Sequence, residues 1–334
     1  MEKLNLETST DNQEKAKGFL EKLLEKIGKA KNDNFSFLLI GRTGVGKSST
    51  VNALMGKEVA KTNPSDPETM EITVYETESY GIKFNVIDTP GLCDELDEVG
   101  NDEMYINRMI NEIKGFDSMW FVAFLAETRV TSEEKKAIKL ISEAFSPAVW
   151  ERGVIIFTNS RHVPADEYFE KLETRTRKIR EEIAKYTGKE VSDKVPSVAI
   201  ETKRKPAPEG KEGLGELYKN PDGQEWIGEL YTTVFERISD KGALPFFMAT
   251  AKRIEKEKKV RDNSIVIEPT SYYEEPKITL SADQKKRVQK KINAAIIPGL
   301  ATAGAGIGLA FGPVGAAVGG VVGAAVGLIA WLWD

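Results

Sequence analysis

The residues best suited to chemistry form a glycine-rich stretch after an apolar segment. Residues 35–40 predict a strand, and residues 41–48 match the phosphate-loop pattern G-x-x-x-x-G-K-[ST] without a mismatch. Glycines let the backbone N–H groups point at phosphate oxygens, and the N-terminus of the following helix adds positive charge. Lys47 would bridge the β- and γ-phosphates, and the Ser48 hydroxyl would take one magnesium position. A glycine-rich turn without a ligand is the alternative. The predicted phosphate-binding residues are Arg42, Thr43, Gly44, Val45, Gly46, Lys47, Ser48 and Ser49.

A second motif, Asp88-Thr89-Pro90-Gly91, follows another predicted strand at residues 82–87. An aspartate at the carboxyl end of a strand can hold magnesium through water, so Asp88 is a predicted metal residue. The backbone N–H of Gly91 would contact the γ-phosphate. Such a turn alone implies no ligand. Paired with the phosphate loop at this spacing, it predicts a GTPase of the switch type that binds GTP or GDP with Mg²⁺.

A loop between these motifs is a candidate sensor of the γ-phosphate. Residues 61–70 are rich in Pro, Ser, Asp and Thr, which predicts a mobile loop. A threonine on such a loop can complete the magnesium site and order the loop only when triphosphate is bound. Thr69 is the predicted residue, and Thr73 is the alternative.

Predicted strands alternate with predicted helices over most of the chain. This alternation predicts an α/β fold, the three-layer phosphate-loop NTPase fold with a mostly parallel central sheet and the nucleotide at the strands' carboxyl ends. The predicted strands are 71–75, 82–87, 119–125, 154–158 and 197–200, and the predicted helices are 104–113, 132–145, 168–186 and 226–238. An amphipathic stripe within residues 11–31 predicts a helix that docks on the nucleotide domain, with a partner or membrane surface as the alternative.

Several segments together carry a family resemblance. Residues 129–145, followed by 154–158, resemble the immunity-associated nucleotide-binding GTPases and the related Toc GTPases of the chloroplast outer envelope. Residues 220–227 resemble the Pro-Asn-Gly-x-x-Trp-Ile run near the end of the Toc domain. The resemblance covers roughly residues 34–240. In Toc GTPases, an arginine at the position matching Arg129 reaches toward the partner subunit's nucleotide. The resemblance therefore implies a catalytic role for Arg129 in a nucleotide-dependent homodimer or higher oligomer, and an ordinary surface arginine is the alternative.

The expected guanine-recognition motif, Asn-Lys-x-Asp, is altered here. Residues 158–161 place Arg161 where the base-reading aspartate would stand, and an arginine cannot accept hydrogen bonds from guanine N1 and N2. The preference for guanine therefore follows from the resemblance. The candidates for contacting the base are Asn159, His162, Glu201 and Thr202.

The position after the second motif predicts slow hydrolysis. Leu92 stands where many small GTPases have a water-orienting glutamine, and a leucine side chain cannot orient water. A low intrinsic rate is expected, and an arginine supplied across a dimer would compensate. A nucleotide-binding scaffold that never hydrolyses is one alternative that Leu92 supports.

The carboxyl-terminal region is unusually apolar. From Ile296 to Trp333 there are 38 residues without a charge, ten of them glycine and nine alanine. One straight helix of that length would be about 57 Å long at 1.5 Å per residue, nearly twice the ~30 Å hydrocarbon core of a bilayer. Two membrane passes fit better, with Gly312–Pro313 as the turn. A single kinked pass and a buried hairpin of a soluble domain are the alternatives.

Glycines recur along this apolar run, mostly every fourth residue. The spacing gives each half a flat glycine face, a glycine zipper, for close helix contact. The recurring residues are Gly304, Gly308, Gly312, Gly315, Gly319, Gly323 and Gly327. A basic segment, residues 285–291, precedes the run and favours the cytoplasmic side of a membrane.

Length, charge and cysteine content limit the alternatives. The 334 residues predict about two domains, and a net charge of −5 with dispersed Lys and Arg gives no nucleic-acid signature. The single cysteine, Cys93, excludes an internal disulfide and suits a reducing compartment. The polar start shows no cleavable secretory signal. The predicted units are an amphipathic helix (1–33), a GTPase domain (34–240), a charged linker or stalk (241–291) and a hydrophobic membrane-associated hairpin (292–334).

Taken together, the sequence predicts a membrane-anchored GTP-binding switch protein with its GTPase domain facing the cytoplasm. Hydrolysis is expected to be slow and dependent on dimerisation. The expected partners are guanine nucleotide, a second copy of the chain and membrane lipid. Besides the scaffold, a nucleotide-gated effector that inserts into membranes or forms pores is an alternative, because glycine-rich hairpins can also insert and oligomerise.

Overall fold

The protein is built around a six-stranded sheet. The computed structural model describes residues 2–30, 33–61, 72–89, 101–206, 215–256, 276–303 and 306–333. The strands are β1 (Phe35–Ile40), β2 (Thr73–Ser79), β3 (Ile82–Asp88), β4 (Ser118–Phe124), β5 (Gly153–Thr158) and β6 (Ser197–Ala199). They lie in the order β2-β3-β1-β4-β5-β6, and of these strands only β2 runs antiparallel to its neighbour. The predicted α/β fold with a mostly parallel sheet is confirmed.

Helices follow most of the strands and cover the sheet. In the described residues they are α1 (Glu2–Ala30), α2 (Lys47–Met55), α3 (Asn101–Glu112), α4 (Ser132–Phe145), α5 (Tyr168–Thr187), α6 (Lys189–Ser192), α7 (Ile227–Arg237), α8 (Asp240–Thr250), α9 (Ala282–Lys291), α10 (Gly306–Val318) and α11 (Gly320–Trp333). Shorter helical turns are found at Pro147–Arg152, Ser160–His162, Ala251–Arg253, Ile292–Ile296 and Leu300–Ala303.

The central strands are buried on both faces of the sheet. Successive side chains of a strand point to opposite faces, so each strand needs a cover on both sides. On one face, Leu38 and Phe121 belong to a core formed with α3, α4 and α5. On the other face, Phe37 and Trp120 belong to a core formed with α1, α2 and α7 to α11.

Helix α8 packs directly on this second face. The ring of Phe246 has its centroid 5.6 Å from those of both Phe35 and Phe37, in edge-to-face geometry. The Ser79 hydroxyl at the end of β2 donates a hydrogen bond to the carbonyl of Ala249 at 2.9 Å. The helix contacts β1, β2 and β3, and it thus joins three strands of the nucleotide-binding half to the carboxyl-terminal half.

The sequence predicted a charged linker or stalk over residues 241–291, and the structure describes a buried helix, α8, in the first part of this range. Ala251–Arg253 after it form only one tight turn. All residues from 242 to 250 are buried, so there is no polar face and no apolar stripe to reveal the helix. Pro245 inside the helix hides it further, because proline normally marks a helix boundary.

The turn after α8 places a buried arginine against the phosphate-loop helix. The Arg253 guanidinium donates to the carbonyls of Ala53, Leu54 and Pro276. The first two carbonyls lie in the last turn of α2, where a positive charge also favours the helix dipole. Gly56 follows with φ 76°, and a Cβ there would meet the guanidinium. The carboxyl-terminal half therefore caps the helix that begins in the phosphate loop.

The carboxyl-terminal glycines form a helical hairpin, α10 and α11. A Cβ on Gly315 would lie 2.7 Å from the backbone nitrogen of Gly327, and one on Gly323 would lie 2.6 Å from the carbonyl oxygen of Gly315. The two backbones therefore approach as closely as glycine alone permits. Among the described residues, no helix is both long and apolar enough to cross a bilayer.

The position of the hairpin turn differs from the prediction. The prediction of a turn at Gly312–Pro313 was wrong, because the chain reverses at Gly319 and Gly320, with φ 62° and 59°. Two consecutive glycines adopt this left-handed backbone without steric cost. Pro313 lies inside α10. The carbonyl that loses its partner there belongs to Leu309, an exposed residue, so water can satisfy it.

Helix α1 packs mainly on this hairpin. Its apolar stripe includes Leu23 and Ile27, which are buried in the same core as α10 and α11. The approach is close, since a Cβ on Gly306 would lie 2.5 Å from the carbonyl oxygen of Asn12. The Lys26 ammonium donates to the carbonyl of Ile296. The predicted helix thus extends over Glu2–Ala30, and its partner is largely the carboxyl-terminal half of the chain.

The glycine contact generates a test of the hairpin. Gly315→Ala should lower the free energy of unfolding by about 1–3 kcal/mol, because the added methyl must displace backbone rather than a flexible side chain. Gly312→Ala is the matched control. Nothing lies within 4 Å of a Cβ at Gly312, so alanine should be neutral or stabilise by up to about 1 kcal/mol through helix propensity. Urea unfolding followed by tryptophan fluorescence measures both, and equal stability of the two variants would contradict the packing.

Candidate nucleotide-binding site

The phosphate loop lies between β1 and α2. Gly44 and Gly46 have φ values of 74° and 100°, so the loop needs the left-handed backbone that glycine provides. A Cβ on Gly41 would lie 2.3 Å from the carbonyl of Val122 in β4. The Thr158 hydroxyl at the end of β5 donates to the carbonyl of Val45 at 2.7 Å. The loop is therefore held in its curled form by two neighbouring strands.

Lys47 reaches back over this loop. Its ammonium is buried and donates to the carbonyl of Gly41 at 2.9 Å, and it lies 3.4 Å from the carbonyl of Arg42. It also lies 3.6 Å from a carboxylate oxygen of Asp88, which is an ion-pair distance but too long for a hydrogen bond. A positive charge thus stands within the curl of the loop, where phosphate oxygens would enter.

Asp88 has a buried carboxylate with an unsatisfied oxygen and a raised pKa, which are properties of a ligand-binding group. It ends β3, and its Oδ1 is buried without a hydrogen-bond partner among the residues that the structure describes. Burial raises the pKa of the carboxyl, and the charge of Lys47 only partly opposes this. Ser48, half-buried, lies next to Lys47 in the first turn of α2. A hydroxyl and an unsatisfied carboxylate oxygen are hard oxygen donors of the kind that Mg²⁺ takes, directly or through water.

Three residues that the sequence singled out, Thr69, Gly91 and Leu92, lie outside the described residues, as does Cys93. The alternative threonine, Thr73, is described. It begins β2 and lies directly opposite Asp88 in the antiparallel ladder. Thr73 therefore adjoins the candidate metal residue.

The base side of the site lies at the carboxyl ends of β5 and β6. Glu201 is fully buried, and its carboxylate accepts the backbone N–H groups of Lys203 at 3.0 Å and Arg161 at 3.4 Å. Nε2 of His162 lies 3.2 Å from the Lys203 ammonium. Asn159 has a left-handed backbone with φ 53°. The structure thus brings the predicted base-contacting residues, including Thr202 next to Glu201, into two adjacent loops.

The structure shows what Arg161 does at the position where an aspartate was expected. Its guanidinium stacks on the ring of Tyr218, 4.4 Å from the ring centroid. This contact draws the loop after β5 toward the segment around residue 218. Arg161 itself is exposed and offers only donors.

Asn220 is a residue of this region that the sequence analysis did not select. Its side chain is buried, accepts from the Ser160 hydroxyl at 2.8 Å and donates to the carbonyl of Ala199 at 2.8 Å and to the Tyr168 hydroxyl at 3.1 Å. It therefore links both base-side loops to α5. The only sequence signal was its place in the resemblance over residues 220–227.

Arg129 lies in the loop between β4 and α4. Its side chain is exposed, and the loop follows Phe124, over whose ring the guanidinium of the phosphate-loop residue Arg42 lies at 5.6 Å. Arg129 therefore belongs to the same edge of the sheet as the phosphate loop. This edge brings together a phosphate loop, the Lys47–Asp88 pair and the two base-side loops, an arrangement typical of the nucleotide-binding domain of phosphate-loop GTPases.

Comparison with known proteins gives the same class. The model of the AIG1 family matches residues 35–194. Translocase of chloroplast 33 of Arabidopsis thaliana is 34% identical over 157 residues, which cover 44% of this chain and 50% of that protein. Translocase of chloroplast 34 of Pisum sativum is 33% identical over 165 residues, 45% of this chain and 51% of that protein. The chain thus spans about half the length of the curated relatives it matches.

The solved structures agree on the fold. One solved structure aligns with 66% of this chain and with 88% of its own chain. Its description states that dimerization is important for the GTPase activity of the chloroplast translocon components atToc33 and psToc159. The TM-score is 0.50 at 23% identity, a likeness of fold alone. Residues 35–194 of this chain therefore match the AIG1 family model and are similar in sequence to proteins of the Toc33 and Toc34 type.

The raised pKa of Asp88 generates a test. In the nucleotide-free protein, ionisation of this carboxyl above its ordinary pKa of about 3.9 works against folding. Asp88→Asn should therefore raise the free energy of unfolding at pH 7, and the gain should shrink as the pH falls toward 4, where the wild-type carboxyl becomes protonated in both states. Urea unfolding in EDTA across this pH range measures the effect. Asp166→Asn, at an exposed carboxyl, is the control.

The same Asp88 variant should bind GTP more weakly when Mg²⁺ is present, because a carboxylate that holds the metal shell is lost. Calorimetry with and without Mg²⁺ measures this difference. A variant that loses stability at pH 7 and keeps its magnesium-dependent affinity would show that Asp88 is a structural residue.

Proposed function

We propose that this chain is a GTP-binding switch protein and a slow GTPase that works with Mg²⁺. The observation that carries the proposal is the pairing of Lys47, folded into the phosphate loop, with the unsatisfied oxygen of Asp88 at the end of the neighbouring strand. The AIG1-family match and the Toc relatives support it.

The residues of the chain divide the work of binding. The loop amides and Lys47 would hold the β- and γ-phosphates, and Ser48 and Asp88 would hold Mg²⁺ or its water shell, which would supply charge neutralisation at the phosphates. Thr69 or Thr73 and the backbone of Gly91 respond to the γ-phosphate, which makes the protein a switch.

Glu201 is the proposed reader of guanine. Guanine presents donors at N1 and N2, and a carboxylate accepts only. Glu201 is the one carboxylate among the base-side candidates, and its two backbone bonds leave further lone pairs on both oxygens. Asn159, His162 and Thr202 lie in the same two loops and would supply the remaining contacts to the base.

Arg129 is proposed to act across a homodimer or higher oligomer. It is exposed, and its loop stands at the same edge of the sheet as the phosphate loop, so it faces any second copy that docks on this edge. An arginine supplied in trans stabilises the charge that develops in phosphoryl transfer. This role offsets the leucine at position 92, which cannot orient water.

The dimer proposal predicts a concentration-dependent rate. Turnover of GTP per molecule should rise with protein concentration, and Arg129→Ala should flatten that rise while leaving the affinity for GDP nearly unchanged. Dedicated trans arginines contribute about 10³–10⁵-fold, and a weak homodimer contact should contribute less. Arg177→Ala, at an exposed arginine paired with Glu181 on α5, is the control.

Phosphate release from GTP and from ATP, measured over a range of protein concentrations, decides the matter. Full concentration-dependent turnover in Arg129→Ala would make this residue a bystander. Equal turnover of ATP would remove the preference for guanine. Binding of GTP without any phosphate release would favour the nucleotide-dependent scaffold.

A second candidate function concerns the hairpin, which we propose to contact a membrane from the cytoplasmic side. The observation that favours it is the exposed tip of the hairpin. Residues 316–320 are exposed and contain no polar side chain, and Leu309 and Val318 are 63% and 52% exposed. Residues 316–320 form a continuous apolar run, and contiguous exposed apolar surface is a feature of interaction sites.

Lipid contact is testable at the two exposed residues. The double variant Leu309→Asn/Val318→Asn should lose flotation with phosphatidylcholine–phosphatidylserine vesicles, because it removes apolar surface without touching the core. Phe169→Asn on α5, where the ring is 67% exposed, is the control for loss of exposed apolar surface elsewhere. Flotation that persists in the double variant would refute this contact. GTP-dependent dye leakage from the vesicles would favour the pore-forming effector.

A further inference from the structure

The loop that carries Arg129 is held from beneath by one buried arginine of α5. Arg175 is 1% exposed. Its Nε donates to the carbonyl of Phe124 at 3.3 Å, its Nη1 donates to the carbonyl of Arg129 at 3.0 Å, and its Nη2 pairs with the carboxylate of Glu134. A single guanidinium therefore contacts Phe124, the last residue of β4, Arg129 in the loop, and Glu134 in the helix that follows the loop.

Glu134 connects the same arginine to the end of the loop. Its second carboxylate oxygen accepts the backbone N–H of Thr131 at 3.0 Å, and the Thr131 hydroxyl accepts the N–H of Glu134 at 3.2 Å. This reciprocal pair is a capping box at the start of α4. The carboxylate thus fixes where α4 begins and also orients the guanidinium.

A guanidinium is suited to this task and a lysine is not. Its planar fork directs several donors in fixed directions, which an ammonium on a flexible stem cannot do. A buried ion pair is also weak support for stability, because desolvation of both charges offsets their attraction. A gain in stability therefore does not explain why this ion pair is buried here. The direct hydrogen bond from Arg175 to the backbone carbonyl of Arg129 points instead to a role in holding the loop.

We infer that Arg175, oriented by Glu134, is a positioning residue that fixes the backbone from which Arg129 projects toward the nucleotide of a second copy. The inference rests on the proposed trans role of Arg129. Arg175 also holds Phe124, over whose ring Arg42 of the phosphate loop lies. One buried guanidinium thus fixes the position of the Arg129 loop relative to the protein's own phosphate loop.

The test uses full-length protein and a charge-balanced variant. Arg175→Met alone leaves the Glu134 carboxylate buried without its partner and can prevent folding. Arg175→Met/Glu134→Gln avoids this, because glutamine also serves in a capping box at Thr131 and no buried charge remains. Arg177→Met is the matched control, since this exposed arginine lies on the same helix and pairs only with Glu181 in the described residues.

The expected result is a loss of cooperation between copies without a loss of nucleotide binding. The charge-balanced variant should lower the concentration-dependent rise in GTP turnover by about tenfold, within the range of about 10²-fold that a misplacement of 1 Å can cost. The affinity for GDP should stay as in wild type. Added to Arg129→Ala, the variant should cause no further decrease, because it acts through Arg129.

Amide hydrogen exchange of residues 125–131, measured on the GDP-bound protein at low concentration, reads the positioning directly. Exchange should be faster in the charge-balanced variant and unchanged in Arg177→Met. A wild-type slope of turnover in the charge-balanced variant, or a further decrease in the Arg129→Ala background, would overturn the inference while the trans role of Arg129 stands. A wild-type slope in Arg129→Ala itself would overturn both.

Discussion

The structure depends on one constraint, which is that the central strands are apolar on both faces. A parallel sheet of this kind must be covered twice, and the chain covers the second face with α8, whose Phe246 packs against Phe35 and Phe37. Because α8 in turn contacts α1, α11 and the short helix Ile292–Ile296, the carboxyl-terminal half is joined to the nucleotide-binding half through a shared core. The hairpin then forms a further layer outside α8. The helix that covers the second face of the sheet therefore also fixes where the hairpin lies.

The site follows from the same sheet. Parallel strands end at one edge, and this edge brings together the phosphate loop after β1, Asp88 at the end of β3, the Arg129 loop after β4 and Glu201 after β6. One of these groups, Asp88, has a cost when the nucleotide is absent. Asp88 is a buried carboxyl with a raised pKa, and Lys47 occupies the curl with its ammonium on backbone carbonyls. A bound metal would satisfy the Asp88 carboxylate, so the site trades stability of the free protein for affinity.

Much of the fold and part of the site could be predicted from the sequence because the signals are local. The strands β1, β3, β4 and β5 are short apolar runs with turn residues at their ends, and the phosphate loop is a contiguous pattern. The remainder depends on contacts between distant residues. Helix α8 has no polar face, the hairpin turn was decided by a glycine pair rather than by proline, and the buried Arg175 has its partners some 40 to 50 residues away. Composition and periodicity contain none of this information.

The contact between α1 and α10 has a consequence for synthesis. Helix α10 follows α1 by nearly 300 residues, so α1 is made long before its partner. Since protein synthesis adds about 5–20 residues per second, the apolar stripe of α1 lacks its partner α10 for a time on the order of tens of seconds. During that interval the stripe, with Leu23 and Ile27, is exposed on the nascent chain as a site for chaperones or for early self-association. The contact between α1 and α10 therefore forms only after the whole sheet, which lies between them in the sequence, has been made.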